Sequence, residues 1–341
     1  MNFLFIDHIF GHSMIRKKLI FLCLLAILTL SLPIAALKYF IDNESKVLQG
    51  VSKGIAYIQD IFDLEEYTTI HRVNKKNQIL KGVVDDKFDD TEKKIQDLFL
   101  KIIDQQKDVE KLLGISHDHL ESIGKEHVQP AVLLQQWNDI ILNDEKFDVA
   151  ENDRIHTTFI SGLQQLQKVI FNQLDLYPYP TSEIATLISI LENNLRPIIQ
   201  KIIQLQLTVE HYEQDKQCAQ GAKKEAIILL VMLQSHLNTL LNDIQQVPLE
   251  QKQLSDNKES EHQIRLFTQH MQKLYLHLDP KNDILTEGLI EQCSGAISLC
   301  VQLSQTICQK IEVLFSIQET RIHLQNLLLY IAMSIFFIVT C

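Results

Sequence analysis

The chain has 341 residues and a formal net charge of −11, with 43 acidic side chains against 32 Lys and Arg. Only 10 glycines and 7 prolines punctuate it, too few for the many turns a sheet-rich fold needs, so the composition favours long helices. An acidic chain without a basic patch also makes a poor partner for phosphate backbones, which excludes nucleic-acid binding as a function class.

Residues 1–18 form a short tail that ends in Arg16-Lys17-Lys18. An uncharged apolar run follows from Leu19 to Leu37, close to the about 20 residues that cross a bilayer core as a helix. Positive charge directly before such a run holds that flank on the cytoplasmic side. A cleavable signal peptide is the rival reading, with Pro33 and Ala35-Ala36 imitating a cleavage region. The run is long for a signal core, and Ile34 fills a position that prefers a small residue, so a retained anchor over 19–40 is favoured. Lys38, Tyr39 and Phe40 then suit the far interface.

From Asp42 onward the pattern is helical. The expected first helix runs from about Glu44 to the low eighties, with a break marked by Asp85-Asp86 and Asp89-Asp90. The next carries Ile95, Leu98, Phe99, Ile102, Val109, Leu112 and Leu113 on one face. It weakens between Gly114 and Gly124 and must stop before Pro130. A third spans about Ala131 to Leu174, with an interruption allowed at Asn143 to Asn152. Tyr177-Pro178-Tyr179-Pro180 is the firmest break in the chain, and Ser182 is placed to cap the helix after it.

That helix runs to about Gln214 and contains Pro197, where a kink is expected. Another spans Gly221 to Gln246. Its all-apolar run from Ala226 to Leu233 is too short for a membrane span and reads as a buried segment. A sixth covers about Gln251 to Leu278. The last begins near Asp283 and carries Leu289, Cys293, Ile297, Cys300, Ile307, Ile311 and Leu314 into a second apolar stretch, 327–341. The fold class expected is all-α: an elongated antiparallel helical bundle, two stacked four-helix bundles in its fullest form, between two membrane helices.

Chemistry-bearing motifs are sparse. Gly50-Val51-Ser52-Lys53-Gly54 fits the G-x-S-x-G pattern, but no buried strand precedes it, so it reads as small residues allowing close helix packing. Ser116-His117-Asp118-His119, with His127, resembles neither a complete phosphoacceptor motif nor a metal site of defined spacing, and reads as a solvated loop. His71-Arg72, near the end of the first helix, reads on its residues as a solvent-exposed basic pair helped by the negative end of the helix dipole. Trp137 reads as a core anchor before a stacking platform. Cys293, Cys300 and Cys308 share a helix face and read as small core residues, while a pairing of Cys218 with one of them is left open. No cofactor or metal is expected, and the chain is not expected to be an enzyme.

The order of parts resembles the sensory half of bacterial transmembrane receptors, the methyl-accepting chemotaxis proteins and related sensor kinases with large all-helical ligand-binding regions. Glu44, Gly50, Gly54, Tyr57, His71 and Arg72 are similar to the signature of the first helix after the membrane in that group. Leu176-Tyr177-Pro178 with Ser182, then Leu195-Arg196-Pro197, are similar to a second signature, although Tyr177 replaces an acid and Glu183-Ile184 stand where tyrosines are usual. Arg321 matches the arginine approaching the second span.

The resemblance implies a domain over 42–326 on the periplasmic side of an inner membrane, with His71, Arg72, Pro178 and Ser182 at a small-ligand site. It also implies a homodimer formed through helical packing, and a cytoplasmic output module, for which 327–341 as a cut-short second span leaves no room. A membrane-anchored helical scaffold that docks a partner protein is the competing expectation. A reporter fused at residue 10 should lie in the cytoplasm and one in the 42–326 segment outside it; the reverse would overturn this topology.

Overall fold

The computed structural model describes residues 3–82, 88–176, 179, 181–214, 219–246, 266, 269 and 287–340. Every regular element among them is helical: α1 (Phe3–Lys81), α2 (Phe88–Leu113), α3 (His117–Ser122), α4 (Pro130–Asn143) and α5 (Val149–Leu174). After these come α6 (Ser182–Ser189), a π-helical turn (Ile190–Leu195), α7 (Arg196–Gln214), α8 (Ala219–Gln246) and α9 (Glu287–Thr340). The chain divides into two compact units, Met1–Leu48 with Phe315–Cys341, and Gln49–Leu314.

In the first unit, Phe21, Leu25, Leu32, Tyr39 and Phe40 of α1 are exposed, as are Leu327, Leu328, Tyr330 and Ile331 of α9. Lys38 ties the two helices together. Its Nζ pairs with Asp42 Oδ1 at 2.7 Å, donates to Asn326 Oδ1 at 3.2 Å and lies 5.6 Å from the Tyr330 ring centroid. Pro33 is accommodated inside the helix.

In the second unit α1 is the common wall. It runs antiparallel to α2, because Tyr57 donates to Gln106, Asp60 pairs with Lys101 and His71 meets Glu92. It runs antiparallel to α5 as well, where Gln167 reaches Glu65 and His156 reaches His71. Between α4 and α5, Trp137 faces His156 and Phe159. On another side Gln305 of α9 donates to Asp63 of α1 at 3.1 Å, and α7 packs along α8 with Asn194 donating to Asp243 at 2.7 Å.

The one-face stripe expected of α2 buries Ile95, Phe99, Ile102, Val109 and Leu113. Gly114 ends that helix at φ +71°, a left-handed geometry suited to glycine, and its N–H closes on the Glu110 carbonyl. Cys293, Cys300 and Cys308 are buried on α9 and are not in disulfides. Burial pushes the Cys300 and Cys308 thiols well up.

The third helix divides into α4 and α5 at the interruption allowed between Asn143 and Asn152, and Asp148 caps α5 by accepting from the Glu151 N–H. Other expectations change. Thr181, not Ser182, caps α6 by accepting from the Ile184 N–H at 3.2 Å. The irregularity expected at Pro197 appears ahead of it, as the π-helical turn Ile190–Leu195. A proline ring crowds the carbonyl four residues back, and a widened turn there relieves that clash.

The Ala226–Leu233 run is buried only on one side: Ala226, Leu229, Leu230 and Leu233 are covered, while Ile228, Val231 and Met232 are exposed. Among the described residues one stretch, Lys224–Ile244, is long and apolar enough to cross a membrane. The helix expected over 251–278 lies outside the described residues, save residues 266 and 269, and so does Cys218.

Gly54 permits the closest approach of α1. A Cβ there would sit 2.8 Å from Leu174 Cδ2 and 2.9 Å from Leu113 Cδ1. Gly54→Val should therefore overpack the joint and cost about 1–3 kcal/mol, measured as a lower denaturation midpoint in urea, whereas Ser52→Ala should leave the midpoint unchanged.

Candidate functional site

Lysine, arginine and histidine seldom enter a core, yet α1 buries a run of polar side chains. Glu65, Thr68, Arg72, Lys75 and Lys76 recur at intervals of three, four, three and one, which on a helix of 3.6 residues per turn places them along one face. His71 and Arg72 are both 0% exposed, and Lys75 and Lys76 are buried. The exposed basic pair is therefore ruled out.

The two lysines are answered by other elements. Lys75 Nζ lies 2.6 Å from Asp144 Oδ2, in the turn that follows α4. Lys76 Nζ lies 3.5 Å from Asp153 Oδ2, near the start of α5. Both placements agree with the ends of those helices, where carbonyls attract cations and N–H groups attract carboxylates. Asn152 Nδ2 donates to the Arg72 carbonyl at 3.2 Å, so the first turn of α5 also grips the backbone of α1.

His71 sits at the centre of this layer. Its Nδ1 is 2.9 Å from His156 Nε2, and its Nε2 is 3.2 Å from Glu92 Oε1. His156 Nδ1 in turn lies 2.9 Å from the Asn152 carbonyl oxygen. Rings enclose the pair: Phe88 at 4.5 Å and Trp137 at 4.9 Å, centroid to centroid, from His71. Trp137 is thus both a core anchor and a wall of the histidine site.

Nearly two turns earlier on α1, Gln167 Nε2 donates to Glu65 Oε2 at 3.2 Å. Thr68 Oγ1, Asn152 Oδ1 and Gln167 Oε1 are buried without a hydrogen-bond partner among the described residues. A buried acceptor in that condition costs about 1–3 kcal/mol.

Two groups of the layer have displaced titrations. Burial raises the Glu65 carboxyl to about 7, against the pull of the Gln164 and Gln167 side chains and the Arg196 charge. Burial lowers His156 to about 3, helped by the neighbouring charges of His71, Arg72 and Lys75 and opposed by its bond to the Asn152 backbone.

Ser182 is exposed at the start of α6, on an element that supplies none of these contacts, and Pro178 lies outside the described residues. The resemblance-based set is thus divided: His71 and Arg72 share one layer, and Ser182 does not join it. Sequence reasoning missed His156, Glu92, Asn152, Asp144 and Asp153. The only signal for His156, Glu92, Asn152 and Asp153 was polar residues standing at core phases of α2 and α5, and Asp144, in the turn after α4, gave none. His117, Asp118 and Glu121 bring ligand atoms within 4.8 Å of one another, but all three are exposed, and exposed acidic groups reach such spacing without an ion. No family model, curated protein or solved structure is significantly similar to the chain.

The Glu65 displacement has a definite sign. A carboxyl that titrates at about 7 when folded and near the ordinary value of about 4.3 when unfolded holds an extra proton between those limits, so stability falls as pH rises through that window. His156 acts oppositely, since the unfolded chain takes up a proton below about 6.5 that the fold refuses. Glu65→Gln should remove the first effect and raise stability at pH 8 by roughly 2–3 kcal/mol relative to pH 4.5. Urea midpoints of both proteins across that range measure it.

Proposed function

We propose that this chain is a membrane-anchored, receptor-like protein whose helical bundle takes a small polar ligand in the His71–Arg72 layer. The observation that carries the reading is a buried cationic face on α1 lying among buried acceptors that have no hydrogen-bond partner among the described residues. A scaffold alone gains nothing from burying Arg72, Lys75 and Lys76, because well-packed apolar residues hold helices together at least as firmly. A site that must meet an anionic or hydrogen-bonding ligand does gain from them.

The membrane part of the proposal is supported by the exposed apolar side chains of α1 and α9 in the first unit and by Arg16-Lys17-Lys18 before the first run. In this reading Leu19 to Leu37 and residues 327–341 enter an inner membrane, the N-terminal tail is cytoplasmic and the bundle is periplasmic. In this reading the bundle stacks two layers, one built on α1, α2, α4 and α5 and the other on α6 to α9. Ligand contacts that differ between two arrangements of α1 against α5 would shift one helix relative to the other.

A second reading has its own support. Ile228, Val231 and Met232 leave an apolar strip exposed on α8, as a scaffold that docks a partner protein or a second copy of the chain would need.

Thermal unfolding of the full chain in detergent, with small carboxylates, phosphates and sugars added singly at millimolar concentration, separates the two. The receptor reading expects at least one compound to raise Tm by a few degrees through binding to the folded state alone. Arg72→Lys, which keeps the charge and loses the forked donors, should abolish that rise. No shift with any compound, together with a concentration-dependent dimer that Val231→Glu dissolves, would replace the receptor with the scaffold.

A further inference from the structure

Hydrogen-bond polarity around His71 fixes a proton count. The Asn152 carbonyl oxygen can only accept, so His156 Nδ1 carries a hydrogen. At the other end Glu92 Oε1 faces His71 Nε2, and a carboxylate also only accepts, so that nitrogen carries one too. Between the rings, His71 Nδ1 and His156 Nε2 share a third. Three ring hydrogens on two imidazoles make one positive charge. The count is the same if Glu92 holds the proton and donates it to His71 Nε2.

The closed chain therefore holds one proton more than two neutral rings and a carboxylate. Remove that proton and one contact sets acceptor against acceptor. Add a second and the two rings face each other with N–H against N–H.

We infer that His71, His156 and Glu92 form a one-proton latch joining α1 to α2 and α5, closed with a single proton and opened by losing it or by gaining another. The latch regulates the layer assigned to ligand above and rests on that reading for its use, not for its existence.

The surroundings favour the single-proton state. On α1, Arg72 and Lys75 oppose a charge on His156; Lys75 is itself met by Asp144 from the turn after α4. From α5, Asp153 is engaged by Lys76. From α2, Glu92 is the carboxylate in contact with the pair, with Phe88 beside it, and α4 contributes the uncharged edge of Trp137. His71 is fully buried while Glu92 is about a quarter exposed, with 26% of its side chain open. Water therefore reaches the latch from the Glu92 side, the direction in which the proton would leave.

The consequence is a two-sided dependence on pH. As pH falls below about 6.5, the unfolded chain gains a proton at His156 that the latch refuses. Withdrawing the shared proton opens the latch from the other side. The grip of α5 on α1 is greatest between these limits.

The test is the protonation of the two rings in the full chain, labelled with 15N-histidine in detergent micelles and followed from pH 5 to 9 without ligand. Spectra of His71→Gln and His156→Gln assign the pair; where neither folds, Glu92→Gln assigns it, since only rings coupled to that carboxylate move. One ring with both nitrogens protonated and one Nδ1–H ring at pH 7, changing together in a single step, is the expected result. Glu92→Gln should lower that step by at least about one pH unit with helicity unchanged. Two rings titrating independently, two neutral rings at pH 6, or a step that Glu92→Gln leaves in place would overturn the latch. Because no ligand is present, its failure leaves the thermal-shift test of the receptor reading standing, and a negative thermal-shift test leaves the latch standing.

Discussion

A cation can stay inside a helical bundle only where another group answers its charge, and that constraint arranges the second unit. Removing a charge from water costs several kcal/mol that only close partners return. The partners of Lys75 and Lys76 come from the end of α4 and the start of α5. The α4–α5 boundary is therefore tied to one level of α1. It carries the cap at Asp148 and the adjacent Asn152, which binds the α1 backbone. In an uninterrupted helix over 131–174, Asp144 and Asp153 would stand on opposite faces, about two and a half turns apart along the axis, unable to meet the adjacent Lys75 and Lys76 together.

The same constraint explains which parts of the fold were legible in the sequence. Apolar stripes were: Ile95, Phe99, Ile102 and Val109 on α2, and Cys293, Ile297, Cys300 and Ile311 on α9, all point inward as their spacing requires. The small-residue reading of Gly50 and Gly54 matches the tight joint against Leu113 and Leu174. Polar burial was not legible. Hydropathy assigns Lys75, Lys76 and Arg72 to solvent, and only partners distant in sequence reverse that assignment. The spacing from His71 to His156 holds no local pattern, so no window of residues could have joined them. The π-helical turn was half visible: Pro197 announced an irregularity, but whether the chain kinks or widens depends on what packs around it, here α8 through Asn194 and Asp243.

Glu65, His71 and His156 place three titratable groups in one shielded layer, each held differently. Glu65 rests against Gln167 and favours its neutral form. His156 is kept neutral by burial and by the charges around it, and His71 is bonded on both sides. An interior of this kind is more sensitive to its surroundings than an apolar core, because a single proton or a bound anion changes several contacts at once. Gly54 and Gly162 make room for neighbouring side chains, since a Cβ on either would run into Leu174 Cδ2 or Leu133 Cδ2, so the polar layer is set in a tightly packed frame.

The three cysteines of α9 bear on where such a chain can work. They lie along one helix, out of reach of one another for bridging, and burial keeps Cys300 and Cys308 in the thiol form. Attack on a disulfide or an oxidant requires the thiolate and access to it, and these two side chains offer neither. A compartment that drives exposed thiols into bridges would find these already out of circulation. The fold therefore carries the sulfur of Cys300 and Cys308 as inert ballast, and the redox state of the surroundings places no demand on these two positions.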